Sequence, residues 1–230
     1  DGGVSLGAAS YVSHQLLNIP CNYSMTANYL GPSFSDKEIL EILESVGVAY
    51  RRLDSLSEYT SKAIADGKVV GWFQGALEFG DRALGNRSIL ADPRDPKMKE
   101  KVNALIKYRE DFRPFAPAIL ADCVEDYFVN ASDTRFMEKI SMIRQDKQHE
   151  IPSVTHADGT GRLQTVTAEQ NPAFYELIKA FYELTGTPII MNTSFNIKGE
   201  PIVCTPADAI RTFFSSGLDV LILGNFLVEK

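Results

Sequence analysis

The sequence predicts an α/β domain. Apolar stretches of strand length interleave with amphipathic helical segments along the whole chain, and no internal repeat or low-complexity run competes with that pattern. Its 230 residues suit one large domain, or one domain with a remnant of a neighbour, and are enough to bury a core. Residues 1–34 read as the end of another unit: a Gly- and Ala-rich start, a helical stretch, then a loop around Ile19-Pro20. Residues 35–230 read as the main domain. Ser35 caps its first helix with Glu38 three residues on, and Ile39, Leu40, Ile42, Leu43 and Val46 follow at helical spacing. A second helix over 56–66 is stopped by Gly67, and 68–74 is a buried strand candidate. Residues 95–107 form a helix, which Pro114 and Pro117 break. Strands are expected at 115–120 and 136–143, while 144–161, polar with Pro152 and glycines, reads as a mobile loop. A short strand at 163–167, a helix from Pro172 to about 184, a strand at 188–191, a helix over 206–214 and a closing strand at 218–223 complete the pattern.

Composition narrows the classes. With 44% hydrophobic and 23% charged residues the chain is an ordinary globular protein, neither disordered nor fibrous. A net charge of −7 argues against a surface built to coat nucleic acid or an anionic membrane, so any polyanion site must be local. Cys21, Cys123 and Cys204 stand far apart with no CxxC pair, which suggests neither a zinc site nor a disulfide framework and fits a reducing cytoplasm. No apolar run approaches the roughly 18–20 residues a membrane helix needs, and no basic-then-apolar leader is present. The start at Asp1 without a methionine suggests a chain trimmed or cut from a longer polypeptide.

The chemistry concentrates where charge reverses. Between Arg82 and Arg113 stand nine Lys or Arg against five acids, a local +4 in a chain of −7. Basic groups converging on one cleft offset a phosphate's charge; the alternative is a solvated helix face, especially for Lys97, Lys99 and Lys101. Arg82, Arg87, Lys107, Arg109 and Arg113, beside Gly and Pro, are the better candidates. The segment 75–88 follows a strand and holds glycines, Arg82, Arg87, Asn86 and Ser88, a composition suited to close backbone approach and bidentate phosphate binding. It lacks a Walker pattern, and Asp81 with Arg82 equally fits a salt-bridged turn. Thr193, Ser194 and Asn196 follow an apolar strand, where small hydroxyls and amides commonly bond a ligand or only their own backbone. His156 and Arg162 flank two glycines further on; a loop histidine is as compatible with solvent as with a ligand.

Four strings then match a known pattern: GWFQGALEFGDRALGNRSILADPR (71–94), KYREDFRPFAPAIL (107–120), HADGTGRLQTV (156–166) and TPIIMNTSFNIKGEPIV (187–203). In length and order they closely resemble the C-terminal half of the nodulation- and antibiotic-type O-carbamoyltransferases. The stretch 107–113 and Ser194-Phe195-Asn196 are similar to the KxR and SxN signatures of the wider YrdC-like domain, which makes carbamoyl or threonylcarbamoyl adenylates. Phe195 stands where that domain usually has a small residue, and Asp81 where the carbamoyltransferases more usually have proline.

The resemblance implies a YrdC-like twisted mixed sheet with flanking helices, preceded by a short remnant of a sugar-kinase-like domain. It implies that ATP, with Mg2+ on the nucleotide, and carbamoyl phosphate form carbamoyl adenylate, from which the N-terminal domain of the same polypeptide transfers the carbamoyl group to a hydroxyl. By this carry-over Lys107, Arg109, Arg113 and His156 are catalytic, and Arg82, Arg87, Ser88, Arg162, Thr193, Ser194 and Asn196 bind nucleotide or carbamoyl phosphate. Asp1 matches a carboxylate ligand of the iron or other divalent metal of the full-length enzyme. The HxxxH partner motif is absent, since His14, His149 and His156 lack that spacing. The other reading is a non-catalytic nucleotide- or RNA-binding module of the same fold; the acidic balance weighs against RNA.

Overall fold

Gly3 stands in the left-handed region ahead of the first helix, α1 (Val4–Tyr11), which runs into a π-helical turn at Val12–Leu16; no residue of either is buried. The computed structural model describes residues 3–22, 24–108, 110 and 113–230. Ser35 caps α2 (Asp36–Val46): its Oγ accepts from the Glu38 amide, the Glu38 carboxylate accepts from the Ser35 amide at 2.7 Å, and Gly47 ends the helix in the left-handed region. Then come β1 (Arg51–Arg52), α3 (Leu56–Ala65), β2 (Val70–Phe73), β3 (Arg87–Ala91), α4 (Met98–Val102), β4 (Ala116–Leu120), α5 (Val124–Tyr127), β5 (Ile140–Met142), β6 (Thr160–Arg162) and β7 (Gln164–Val166). The chain closes with α6 (Pro172–Thr185), β8 (Ile189–Ser194), α7 (Pro206–Phe214), β9 (Val220–Leu223) and β10 (Phe226–Glu229). Thr205 and Asp208 build a second capping box at α7.

Among the described residues, eight strands form one mixed sheet in the order β1-β10-β9-β2-β3-β8-β4-β7. Strands β2 and β9, and β4 and β7, pair parallel; the other neighbours are antiparallel. Period-2 alternation divides the strands between two cores. Val70, Trp72, Val220, Ile222 and Ile190 pack with α3 and α6, whereas Phe73, Leu221, Leu223, Ile189 and Met191 pack with α2, α4 and α7. Gly71 lies in β2 because a Cβ there would come within 2.8 Å of the Phe195 ring, which fills this core. This is the expected YrdC-like α/β class of fold.

Several expectations are corrected. The helix over 95–107 is α-helical only in α4 and continues as a π-helical turn, Asn103–Lys107, so that Ile106 and Lys107 both face inward. The strand expected at 136–143 shrinks to β5, which pairs with β6 in a separate two-stranded ribbon. The polar stretch 144–161 is not a loose cover: Ile151 and Val154 are buried in the core, and two short 3-10 turns carry the chain between them and its neighbours. The 188–191 strand runs on to Ser194. Strand β3, which begins with the last two residues of the Gly-rich segment 75–88 and is not among the expected strands, is buried along its whole length at the centre of the sheet.

Candidate functional site

Pairing places the candidate residues at one edge of the sheet. Ser88 of β3 stands opposite Ser194, and Ala116 of β4 opposite Asn192, so β3 and β4 begin where β8 ends. Because β4 and β7 are parallel, β7 begins there too. Arg82, Arg113 and Arg162 each lie just ahead of one of these strands, and Thr193 and Ser194 close β8 beside them. All five line one cavity of about 210 Å³, in which Asp81 is the one carboxylate among the described lining residues. Arg113 and Ser194 are shared with an adjoining cavity of about 250 Å³, which Lys107, Glu110, Asn196 and Lys198 also line.

The arginines at the mouth are weakly held. Arg82 pairs with its neighbour Asp81 at 3.2 Å and Arg113 with Glu110 at 2.9 Å, all four side chains being more than a third exposed. Pairs of that kind contribute about 0–1 kcal/mol, so either guanidinium can turn to an anion at small cost and engage it bidentately. Together they give a positive cleft in an acidic protein.

Lys107 plays another part. It is 6% exposed, and its Nζ donates to the Ser194 carbonyl at 2.6 Å, Asn196 Oδ1 at 2.7 Å and the Asn196 carbonyl at 2.9 Å. Three donors meet three acceptors. Ser194 Oγ donates to Asn196 Oδ1 at 2.8 Å, and Asn196 Nδ2 to the Glu200 carbonyl at 2.8 Å. The lysine and the Ser194–Asn196 turn thus form one bonded unit, pinned from below by buried Phe195, whose amide donates to the Arg87 carbonyl. Lys107 thus lines the second cavity with its ammonium bonded to the Ser194–Asn196 turn.

Arg87 and Ser88 depart from expectation. Both are fully buried and line neither cavity. The Arg87 guanidinium donates to the carbonyls of Gln74, Gly75, Asn86 and Pro32 and stacks 3.6 Å over the Phe73 ring; burial lowers its pKa to about 10. Ser88 Oγ accepts from the Gly85 amide. The pair stitches residues 74–88 together from behind. His156 also lies outside both cavities: Nδ1 meets Thr160 Oγ1 at 3.0 Å, Nε2 is buried without a hydrogen-bond partner, and burial holds the ring below its usual pKa and neutral. Arg109 and Asp1 lie outside the described residues. Among the described residues no three His, Cys, Asp or Glu side chains converge on a point.

Lys198, which lines the second cavity, and buried Glu78, which lines neither, escaped sequence reasoning. Lys198 sits two residues beyond Asn196 in the Gly199 turn, a cation next to a glycine that the same composition argument would have found. Glu78 had no sequence signal beyond its place in the Gly-rich segment, yet it is 4% exposed and accepts three backbone N–H bonds.

Comparison with known proteins gives the family. The family model "Carbamoyltransferase C-terminus" matches residues 61–230. Nodulation protein NolNO of Sinorhizobium fredii is 43% identical over 237 residues, covering 100% of this chain and 35% of its own. The 3'-hydroxymethylcephem-O-carbamoyltransferase of Amycolatopsis lactamdurans is 35% identical over 170 residues, 74% of this chain and 32% of its own. In structure, full-length HypF in a phosphate- and nucleotide-bound form matches with a TM-score of 0.51 at 16% identity, over 76% of this chain and 22% of that one, a likeness of fold. The chain belongs to the carbamoyltransferase C-terminus family, and it spans less than half the length of the curated relatives it matches. No helix among the described residues is long and apolar enough to cross a membrane.

Proposed function

We propose that this domain activates a carbamoyl unit as carbamoyl adenylate, using ATP and carbamoyl phosphate, for transfer to a hydroxyl by the rest of a longer enzyme. The observation that carries the reading is the convergence of Arg82, Arg113 and Arg162 with Thr193 and Ser194 on one cavity. Water first takes the phosphoryl group from carbamoyl phosphate, leaving carbamate and inorganic phosphate. A carbamate oxygen then attacks the α-phosphorus of ATP, the bond to the β-phosphate oxygen breaks, and pyrophosphate departs. Negative charge grows on that leaving group, where guanidiniums at the cleft mouth would act. Mg2+ arriving on the nucleotide supplies further charge neutralisation. The Lys107-bonded turn would hold Ser194 at a fixed distance from those arginines, so the reacting groups meet prearranged donors.

The test is pyrophosphate release and calorimetry with ATP and carbamoyl phosphate, separately and together. Carbamoyl-phosphate-dependent pyrophosphate release, lost in R113A and R162A, supports the reading. Nucleotide binding without release favours the non-catalytic module, and no binding of either substrate refutes both.

A further inference from the structure

We infer that Glu78 is a positioning residue: its carboxylate crosses the 78–87 loop and fixes the Asp81–Arg82 rim of the anion cleft. The inference rests on the reading of that cleft as an anion site. Glu78 Oε1 accepts from the amides of Leu84 at 2.7 Å, Asn86 at 2.8 Å and Arg87 at 3.3 Å. These are the donors of the returning leg. The carbonyls of the same leg are taken from the other side: Asn192 Nδ2 donates to Ala83 at 3.2 Å, Tyr29 Oη and Gln164 Nε2 to Leu84 at 2.9 Å, and Trp72 Nε1 to Gly85 at 2.8 Å. Phe79 exchanges two bonds with Asn28, at 2.7 and 2.8 Å, so residues 80–82 are left as a bridge between that anchored end and the leg Glu78 grips. Asp81 and Arg82 are the bridge residues whose charged side chains line the cleft, and among the described residues the one ion pair of Arg82 is with its own neighbour Asp81. The place of Arg82 is thus set by the two ends of that bridge, Phe79 on Asn28 and the returning leg on Glu78.

A carboxylate is a costly clasp. Its second oxygen is buried without a hydrogen-bond partner, and desolvation opposes the charge that three amides favour. What the position requires is therefore an acceptor at this reach. Glu78→Gln keeps the length and the Oε1 acceptor; Glu78→Asp keeps the acid and withdraws the oxygen by one methylene. The carbonyl-side bonds remain in both, so the loop slackens without losing its anchorage to the sheet.

Inorganic pyrophosphate binding, measured by calorimetry alongside melting curves, tests this on the parent, E78Q, E78D, R82A and E78D/R82A. E78Q is expected within about threefold of the parent, E78D and R82A each about tenfold weaker, and the double variant no weaker than R82A alone. Parent-like binding by E78D, or further loss on adding E78D to R82A, would overturn the inference. So would a loss of about tenfold in E78Q, which settles the matter even if E78D does not fold. Binding that responds to R82A but ignores E78D removes this inference alone; no binding by the parent, or indifference to R82A, removes the cleft reading with it.

Discussion

Replacing Lys107 by methionine separates a residue that builds the site from one that binds in it. The ammonium donates to three acceptors between 2.6 and 2.9 Å and lies 3.4 Å from Ser194 Oγ. A charge-assisted bond contributes about 1.5–3 kcal/mol, and an acceptor left dry costs about 1–3 kcal/mol. The three bonds share one turn and do not add, and the side chains of Ser194 and Asn196 are partly open to water, which replaces some of what is lost. A net loss of about 3 kcal/mol is expected, which for a domain of this size lowers Tm by about 6–12 °C. Arg113, exposed and paired with exposed Glu110, offers the contrast: R113A should melt like the parent and lose the larger share of pyrophosphate affinity. Differential scanning calorimetry and pyrophosphate titration, run where all variants are folded, give both quantities. If K107M melts with the parent while losing pyrophosphate binding, the ammonium serves the ligand and not the turn, and the reasoning fails.

Three further outcomes follow from local geometry. S35A removes the hydroxyl half of the α2 capping box and should cost about 1 kcal/mol in urea unfolding, an unchanged midpoint counting against the cap. G85A should be severe, about 3 kcal/mol or more, since φ is +104° and a Cβ would stand 2.2 Å from the Phe174 ring; a soluble variant with parental Tm contradicts this packing. Burial holds His156 below its usual 6.5, so the unfolded chain takes up its proton first as pH falls. Its stabilising share is complete above about 6.5 and declines towards the lowered folded value. Between about pH 7.5 and pH 5.5 the parent should therefore lose more stability than H156Q, and equal losses would place the imidazole in water.

Much of the fold was legible because its boundaries rest on local chemistry. Ser35 with Glu38, Gly67, Pro172 and Pro206 each mark an end that backbone stereochemistry or an unpaired amide requires, and each end falls close to where those residues put it. The failures are tertiary. β3 opens with Arg87 and Ser88, whose polarity argues for a turn until four carbonyls and the Gly85 amide are seen to absorb it. The 144–161 stretch looks mobile by composition, but Ile151 and Val154 are enough to anchor it once a core is present. At 95–107 the helical period was right in kind; the π turn that brings Lys107 inward comes from its bonds to a turn some ninety residues away.

The cations show most clearly what a linear charge census contains. Arg82 and Arg87 stand five residues apart in one Gly-rich segment and are indistinguishable there, yet one lines a cleft and the other is buried under Phe73. What separates them is strand pairing, a long-range fact: Arg87 enters the sheet between β2 and β8, while Arg82 remains outside it. The same topology assembles the site. Arg82, Arg113 and Arg162 belong to three of the four strings that carry the family resemblance, and each precedes a strand that starts at the edge where β8 ends. Antiparallel pairing of β8 with both β3 and β4, and parallel pairing of β4 with β7, force those three starts together. An anion cleft at that edge is thus a consequence of sheet order acting on three arginines, and a register slip of one residue in β8 would move Thr193 and Ser194 each to the other face of the sheet and dismantle it.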